Sequence, residues 1–227
     1  WRLFGNADQV QFQDRLITRQ FTRAAPVAMT WPWRAAMFKT LYRNDGTYGK
    51  IGVHRPGQPD KDKLSASRWF DGEGRALDEP FKTRRIFSNY GRSNYALVQL
   101  NHYALGSMEA FVVKADRGRA VHSEQMLDVD YWVERNYSSE DDTSIFALSA
   151  TFEAELAALH ADKTLSKLHS LAVTWRQKRF SQLLELEPYR ALFGRLLQTP
   201  PSRPVPQALA KLMIRHAVHS MQTDDEA

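Results

Sequence analysis

Apolar positions change their spacing along this chain, and each change predicts a different element. Residues 1–4 form a short apolar run closed by Gly5-Asn6, the pattern of a buried strand end. From Val10 to Ala25 the apolar residues fall at 12, 16, 17, 21 and 24, the spacing of a helical face. Residues 37–43 and 48–54 then read as two strands of a hairpin joined at Asn44-Asp45-Gly46, where glycine supplies the positive φ of a tight turn. Pro56-Gly57-Gln58-Pro59 ends that hairpin, and residues 57–67 are polar enough to be expected as a mobile loop. Asp71-Gly72-Glu73-Gly74 marks a second turn. Residues 95–100 are almost continuously apolar, which predicts a strand buried on both faces with His102 just past its end.

Beyond Gly106 the period becomes helical. Ser107 is an N-cap, because its hydroxyl can accept an orphan amide of the first turn. Met108, Phe111, Val112 and Ala115 then share one face, and Gly118 stops the helix. Strands are expected to cease near residue 122. Residues 142–161, 163–187 and 205–220 have helical periodicity, with breaks at Pro188 and Thr199-Pro200-Pro201. The expected organisation is α/β over residues 1–121, followed by an all-helical appendage over 122–227. A chain that begins on Trp is expected to be part of a longer protein.

Composition narrows the class. Mean hydropathy is −0.51, and no stretch approaches the run of about 20 apolar residues that a spanning helix needs. Without cysteine there are no disulfides, thiolate ligands or thiol nucleophiles, which suits a cytoplasmic location. The net charge of +5 is uneven: residues 1–120 carry 20 Lys and Arg against 11 Asp and Glu, whereas residues 121–227 carry 11 against 15. A positive front half favours phosphorylated ligands, nucleic acid or an anionic membrane surface.

The candidate chemistry lies in that front half. His102 and His54 each end a predicted strand, and strand C-terminal ends are where open α/β sheets place ligands. A neutral imidazole there can join carboxylates around Mn²⁺ or Mg²⁺, or can simply cap its strand. Lys114, Arg117 and Arg119 follow on or just past one short helix, with Lys39 on the upstream hairpin. Guanidinium forks match phosphate oxygens, though the same cations could be a solvated face complementing a helix C-terminus. Asp116 could hold Arg117 or Arg119 in place. Asp8 and Asp14 could serve as general base for an acceptor hydroxyl, or be ordinary surface carboxylates. Trp31 and Trp33 suit sugar faces or loop anchoring equally. Asp128-Val129-Asp130 matches a metal-binding Asp-x-Asp, but its place after the expected sheet reads as helix N-terminal carboxylates.

Six blocks carry a family resemblance: Trp1-Arg2-Leu3-Phe4-Gly5-Asn6, Phe38-Lys39-Thr40-Leu41-Tyr42-Arg43, Gly52-Val53-His54-Arg55-Pro56, Leu100-Asn101-His102-Tyr103, Lys114 with Asp116-Arg117-Gly118-Arg119, and Glu140-Asp141-Asp142-Thr143-Ser144-Ile145. In that order they resemble a bacterial branch of glycosyltransferase family 2, over residues 1 to about 150. The resemblance implies the C-terminal portion of a GT-A mixed sheet with flanking helices, and transfer of a sugar from an NDP-sugar donor to a glycan or lipid-linked acceptor in surface-polysaccharide synthesis. It implies a divalent metal, with His102 first and His54 second as late histidine ligands. It also implies that the Asp-x-Asp and the base pocket precede the Trp1 block, so that the piece alone is inactive. The partners expected are therefore the donor and acceptor, with no nucleic acid, and the positive front half allows peripheral contact with an anionic membrane surface. Two other classes fit the same features: a non-catalytic glycan-binding domain, and a basic nucleic-acid-binding module with its cations on one exposed face.

Overall fold

The computed structural model describes residues 1–89, 91–118 and 127–224. Short strands and longer helices alternate, so the class is mixed α and β. The order is β1 (Arg2–Leu3), α1 (Ile17–Gln20), β2 (Arg23–Ala24), β3 (Tyr48–Lys50), β4 (Gly57–Pro59), α2 (Lys61–Leu64), α3 (Glu79–Thr83), β5 (Asn101–His102), α4 (Met108–Arg117), α5 (Val129–Val133), β6 (Glu140–Asp141), α6 (Ser149–Ala161), α7 (Lys163–Leu184), α8 (Glu187–Gln198) and α9 (Gln207–Asp224). Two compact units share these elements. One comprises residues 1–2, 26–102 and 204–227; the other comprises residues 3–25 and 103–203. The expected boundary at 121/122 lies outside the described residues.

The second unit holds a helical core. Ser107 caps α4 by accepting the Ala110 amide, and Gly118 closes it at φ 75°. Met108, Phe111, Val112 and Ala115 are buried as the period requires, packed with Leu127, Trp132, Leu183, Leu192 and Leu196. Phe111 meets Trp132 edge-on with centroids 5.0 Å apart. Burying such aromatic and aliphatic side chains stabilises this unit by about 1.5–3 kcal/mol each. The Leu3-Phe4-Gly5-Asn6 block is tied to this core. Leu3 and Phe4 are buried, and a Cβ on Gly5 would sit 2.4 Å from the Tyr137 carbonyl. The Asn6 amide N–H donates to Asn136 Oδ1 at 2.8 Å, and Asn6 Nδ2 donates to the carbonyls of Gln9 and Gly106.

Several expectations are corrected here. Only α1 forms within the helix expected over 10–25, and the chain then enters β2. Strands do not cease at 122, because β2 pairs antiparallel with β6, Arg23 opposite Asp141. The helix expected from 142 begins as a 3-10 turn over Ser144–Leu148 before α6. Pro188 lies in the first turn of α8, where its missing N–H costs nothing, so it starts a helix rather than separating two.

In the first unit the hairpin forms with a different partner. β3 pairs antiparallel with β4, Tyr48 opposite Pro59 and Lys50 opposite Gly57, so part of the expected 57–67 loop is a strand followed by α2. Residues 37–43 make no regular strand, although Met37 bridges Phe87. Residues 95–100 are not a strand buried on both faces: Leu97 is 71% exposed and Val98 63%. The Leu97 and Val98 amides both turn to the Gly72 carbonyl, which takes this segment out of any ladder. His102 therefore follows an exposed segment, in a two-residue strand.

Candidate functional site

The first unit builds a cleft of about 570 Å³, in the range typical of small-molecule sites. Trp1, Phe38, Trp69, Tyr95, Leu97 and Val98 give it apolar and aromatic walls, and Lys39, Asp71, Asn89 and Arg92 are its main polar groups. Trp1 is fixed by its backbone: its nitrogen donates to the Met37 carbonyl, and Tyr95 Oη donates to the Trp1 carbonyl at 2.9 Å. Burial pushes the Tyr95 phenol up to about 12, so it remains a donor at neutral pH. Asp71 closes the 71–75 turn by accepting the Glu73 and Arg75 amides, and it pairs with Arg75 at 2.8 Å and Arg92 at 3.3 Å. These bonds hold its carboxyl below the usual range against an opposing desolvation. A Cβ on Gly72 would lie 1.9 Å from the Asn94 carbonyl oxygen, so only glycine lets the 71–74 turn approach the far wall.

Two predicted histidines meet on the Trp1 indole. The His102 ring stacks on it, with centroids 4.1 Å apart and planes at 11°, and His54 packs edge-on at 5.4 Å. Lys39 Nζ lies 5.8 Å from the centre of the same indole and donates to the Val53 carbonyl at 2.5 Å. Thr40 Oγ1 donates to the His54 carbonyl, aligning the 39–40 and 53–54 segments. His54 Nδ1 lies 2.9 Å from the Phe38 carbonyl, which only accepts. Nδ1 therefore carries the proton, and the lone pair of the neutral ring is on Nε2. Desolvation, and then the positive charge of Lys39, lower the His54 pKa against that hydrogen bond.

That tautomer suits a metal ligand, since a ligating imidazole commonly gives its other N–H to a carbonyl or carboxylate. Mn²⁺ and Mg²⁺ also need oxygen ligands. Among the described residues no three His, Asp or Glu side chains converge. His54 therefore fits an imidazole contribution to a metal shell, and the carboxylates of a whole shell are not beside it among the described residues.

The remaining candidates lie in the second unit. Lys114 turns inward: its ammonium donates to the Ala104 carbonyl and, at 3.4 Å, to Tyr131 Oη, and desolvation lowers its pKa. Arg117 is exposed at the end of α4, and Arg119 lies outside the described residues. Both Asp116 oxygens accept from Arg179 at 2.8 Å, where Arg117 or Arg119 was expected. Asp14 accepts from His169 at 2.8 Å, whereas Asp8 is exposed in a left-handed conformation at φ 58°. Asp128 caps α5 through the Tyr131 amide, as its place in the sequence suggested. Trp31 is half-buried, and the Trp33 side chain lies outside the described residues.

Sequence reasoning missed Trp1, Asp71, Arg92 and Tyr95 as site residues. Buried N–H groups at Trp1 Nε1 and Arg92 Nε find no acceptor among the described residues. Many front-half cations are engaged internally: Arg55 on the Lys82 carbonyl, Arg85 on Phe87 and Asn89, Arg75 and Arg92 on Asp71. No family model, no curated protein and no solved structure matches the chain.

Proposed function

We propose that this chain is the acceptor- and diphosphate-side part of a GT-A glycosyltransferase, moving a sugar from an NDP-sugar to a hydroxyl of a glycan or lipid-linked acceptor. The observation that carries the reading is the meeting of four resemblance blocks at one place. His54 and His102 come from two blocks, the indole between them from a third, and Lys39 beside it from a fourth. Such a cluster opens onto a cleft through Trp1 and Lys39, which line both.

Each group has a use in this reading. The Trp1 and Trp69 rings offer faces for a sugar. Lys39 favours a diphosphate. His54 and His102 would supply imidazole nitrogens to a divalent metal whose remaining ligands are carboxylates; when bound, the metal would neutralise charge on the leaving diphosphate. The cytoplasm is the proposed location.

The test is release of nucleoside diphosphate from a panel of NDP-sugars, measured in the protein carrying this chain. His102→Ala and His54→Ala should each lower metal-dependent release at least tenfold. Lys61→Ala, exposed on α2, should change it less than about twofold. Equal release by the histidine variants and Lys61→Ala would overturn the assignment of this site. Binding of a glycan in the cleft without any diphosphate release would favour the non-catalytic reading.

A further inference from the structure

The longest helix of the chain, α7, presents different chemistry on two sides. Toward its own unit, Leu183 is buried and Ser166, Val173 and Phe180 are half-buried. Three of its cationic or titratable groups are engaged there: His169 with Asp14, Arg179 with Asp116, and Arg176 over the Phe12 ring at 4.8 Å. On the other side, Leu168, Leu171 and Trp175 fall at i, i+3 and i+7, one stripe, and are 55–57% exposed. Lys167 and Lys178 line one edge of that stripe, and Lys163 precedes it in the chain; all three are exposed. Over the 22 residues of α7 there are five Lys and Arg and no Asp or Glu. A surface helix ordinarily turns polar groups to water, so an outward apolar stripe with a one-signed border calls for a covering partner.

We propose that this face of α7 docks on an anionic lipid surface. Leucines and a tryptophan would enter the interfacial zone while Lys163, Lys167 and Lys178 meet lipid phosphates. Charge selects this occupant. A second copy of the helix would set lysine against lysine along the seam, whereas an anionic bilayer complements Lys163, Lys167 and Lys178. No helix among the described residues is long and apolar enough to cross a membrane, so the contact lies in the interface plane. This proposal stands apart from the glycosyltransferase reading, because none of the residues it uses lines the cleft.

The experiment is co-sedimentation of the 227-residue chain with phosphatidylcholine vesicles, with and without about 30% phosphatidylglycerol. Binding should be at least roughly tenfold stronger to the anionic vesicles and should weaken with added salt. The triple variant Leu168→Gln/Leu171→Gln/Trp175→Gln should lose at least tenfold in binding while melting like the parent, since all three side chains are exposed. The variant Lys163→Gln/Lys167→Gln/Lys178→Gln should lose the preference for anionic vesicles. Equal binding to neutral vesicles, or no binding at all, would overturn the proposal. So would full binding by the apolar variant, which would move the contact to the basic front half. Self-association that disappears in the apolar variant, without vesicle binding, would show that a second copy covers the face instead.

Discussion

Replacing Asp116 with Asn removes the charge at the meeting point of α4, α7 and α8 and leaves the shape almost unchanged. Two oxygens of Asp116 accept from Arg179 Nε and Nη2 at 2.8 Å, and Tyr189 Oη donates to one of them at 3.3 Å. Charge-assisted bonds of this kind contribute about 1.5–3 kcal/mol when shielded. Arg179 is 35% exposed and can regain water, so the pair contributes less than that. The expected loss is about 0.5–1 kcal/mol, or about 1–4 °C in Tm for a chain of this size. Its pH dependence has a definite sign. Hydrogen bonds from Arg179 hold the Asp116 carboxyl below its ordinary value of about 3.9, so the contribution is complete above that value and lost as pH falls through the folded one. Urea unfolding followed by far-UV circular dichroism should show the full gap between parent and variant at about pH 7, narrowing below about pH 4. A gap under about 0.3 kcal/mol at neutral pH, or one that persists unchanged in acid, would refute the bidentate pair as a structural tie.

The His54 imidazole should titrate below its ordinary value of about 6.5 in an NMR pH series, because desolvation disfavours its cation. Between the folded and unfolded values the unfolded chain binds more protons, so stability should rise with pH through that window and level off above about 6.5; His54→Gln should flatten the slope. An unshifted midpoint would contradict the packing against Trp1. Gly72→Ala should cost at least about 1–3 kcal/mol, since the new methyl meets the Asn94 backbone rather than a movable side chain. Hydrogen exchange should locate that loss in residues 71–75 and 94–98, and an unchanged exchange pattern would argue against the close approach.

What was legible in the sequence was what neighbouring residues decide among themselves. Helix α4 was readable because its cap, apolar face and stop are all local: Ser107, then 108, 111, 112 and 115, then Gly118 at positive φ. Asn44-Asp45-Gly46 likewise marks a real bend, with Gly46 at φ 81°. Which segment pairs with β3 is not local. The Asp60 amide donates to the Thr47 carbonyl and sets the 57–59 segment alongside, although Pro59 and Gly57 both weaken a strand reading. α8 carries a helical face at Tyr189, Leu192, Phe193 and Leu196, and it was missed because a proline such as Pro188 marks a helix's first turn as readily as its end.

The site divides in the same way. Histidines at the ends of two apolar runs could be singled out from sequence, but what lies between them could not. Trp1 is brought there by tertiary bonds to Met37 and Tyr95, which no spacing rule encodes. The run at 95–100 failed for a related reason: continuous apolarity says that a segment seeks cover, not that this unit supplies it. Leu97, Val98 and Leu100 stay exposed and line the cleft beside Trp1 and Arg92, so their apolarity serves a surface where a ligand or partner would complete the burial. An apolar run that the fold leaves open is thus a mark of a binding region, and here it lies next to the two histidines that the sequence pattern singles out.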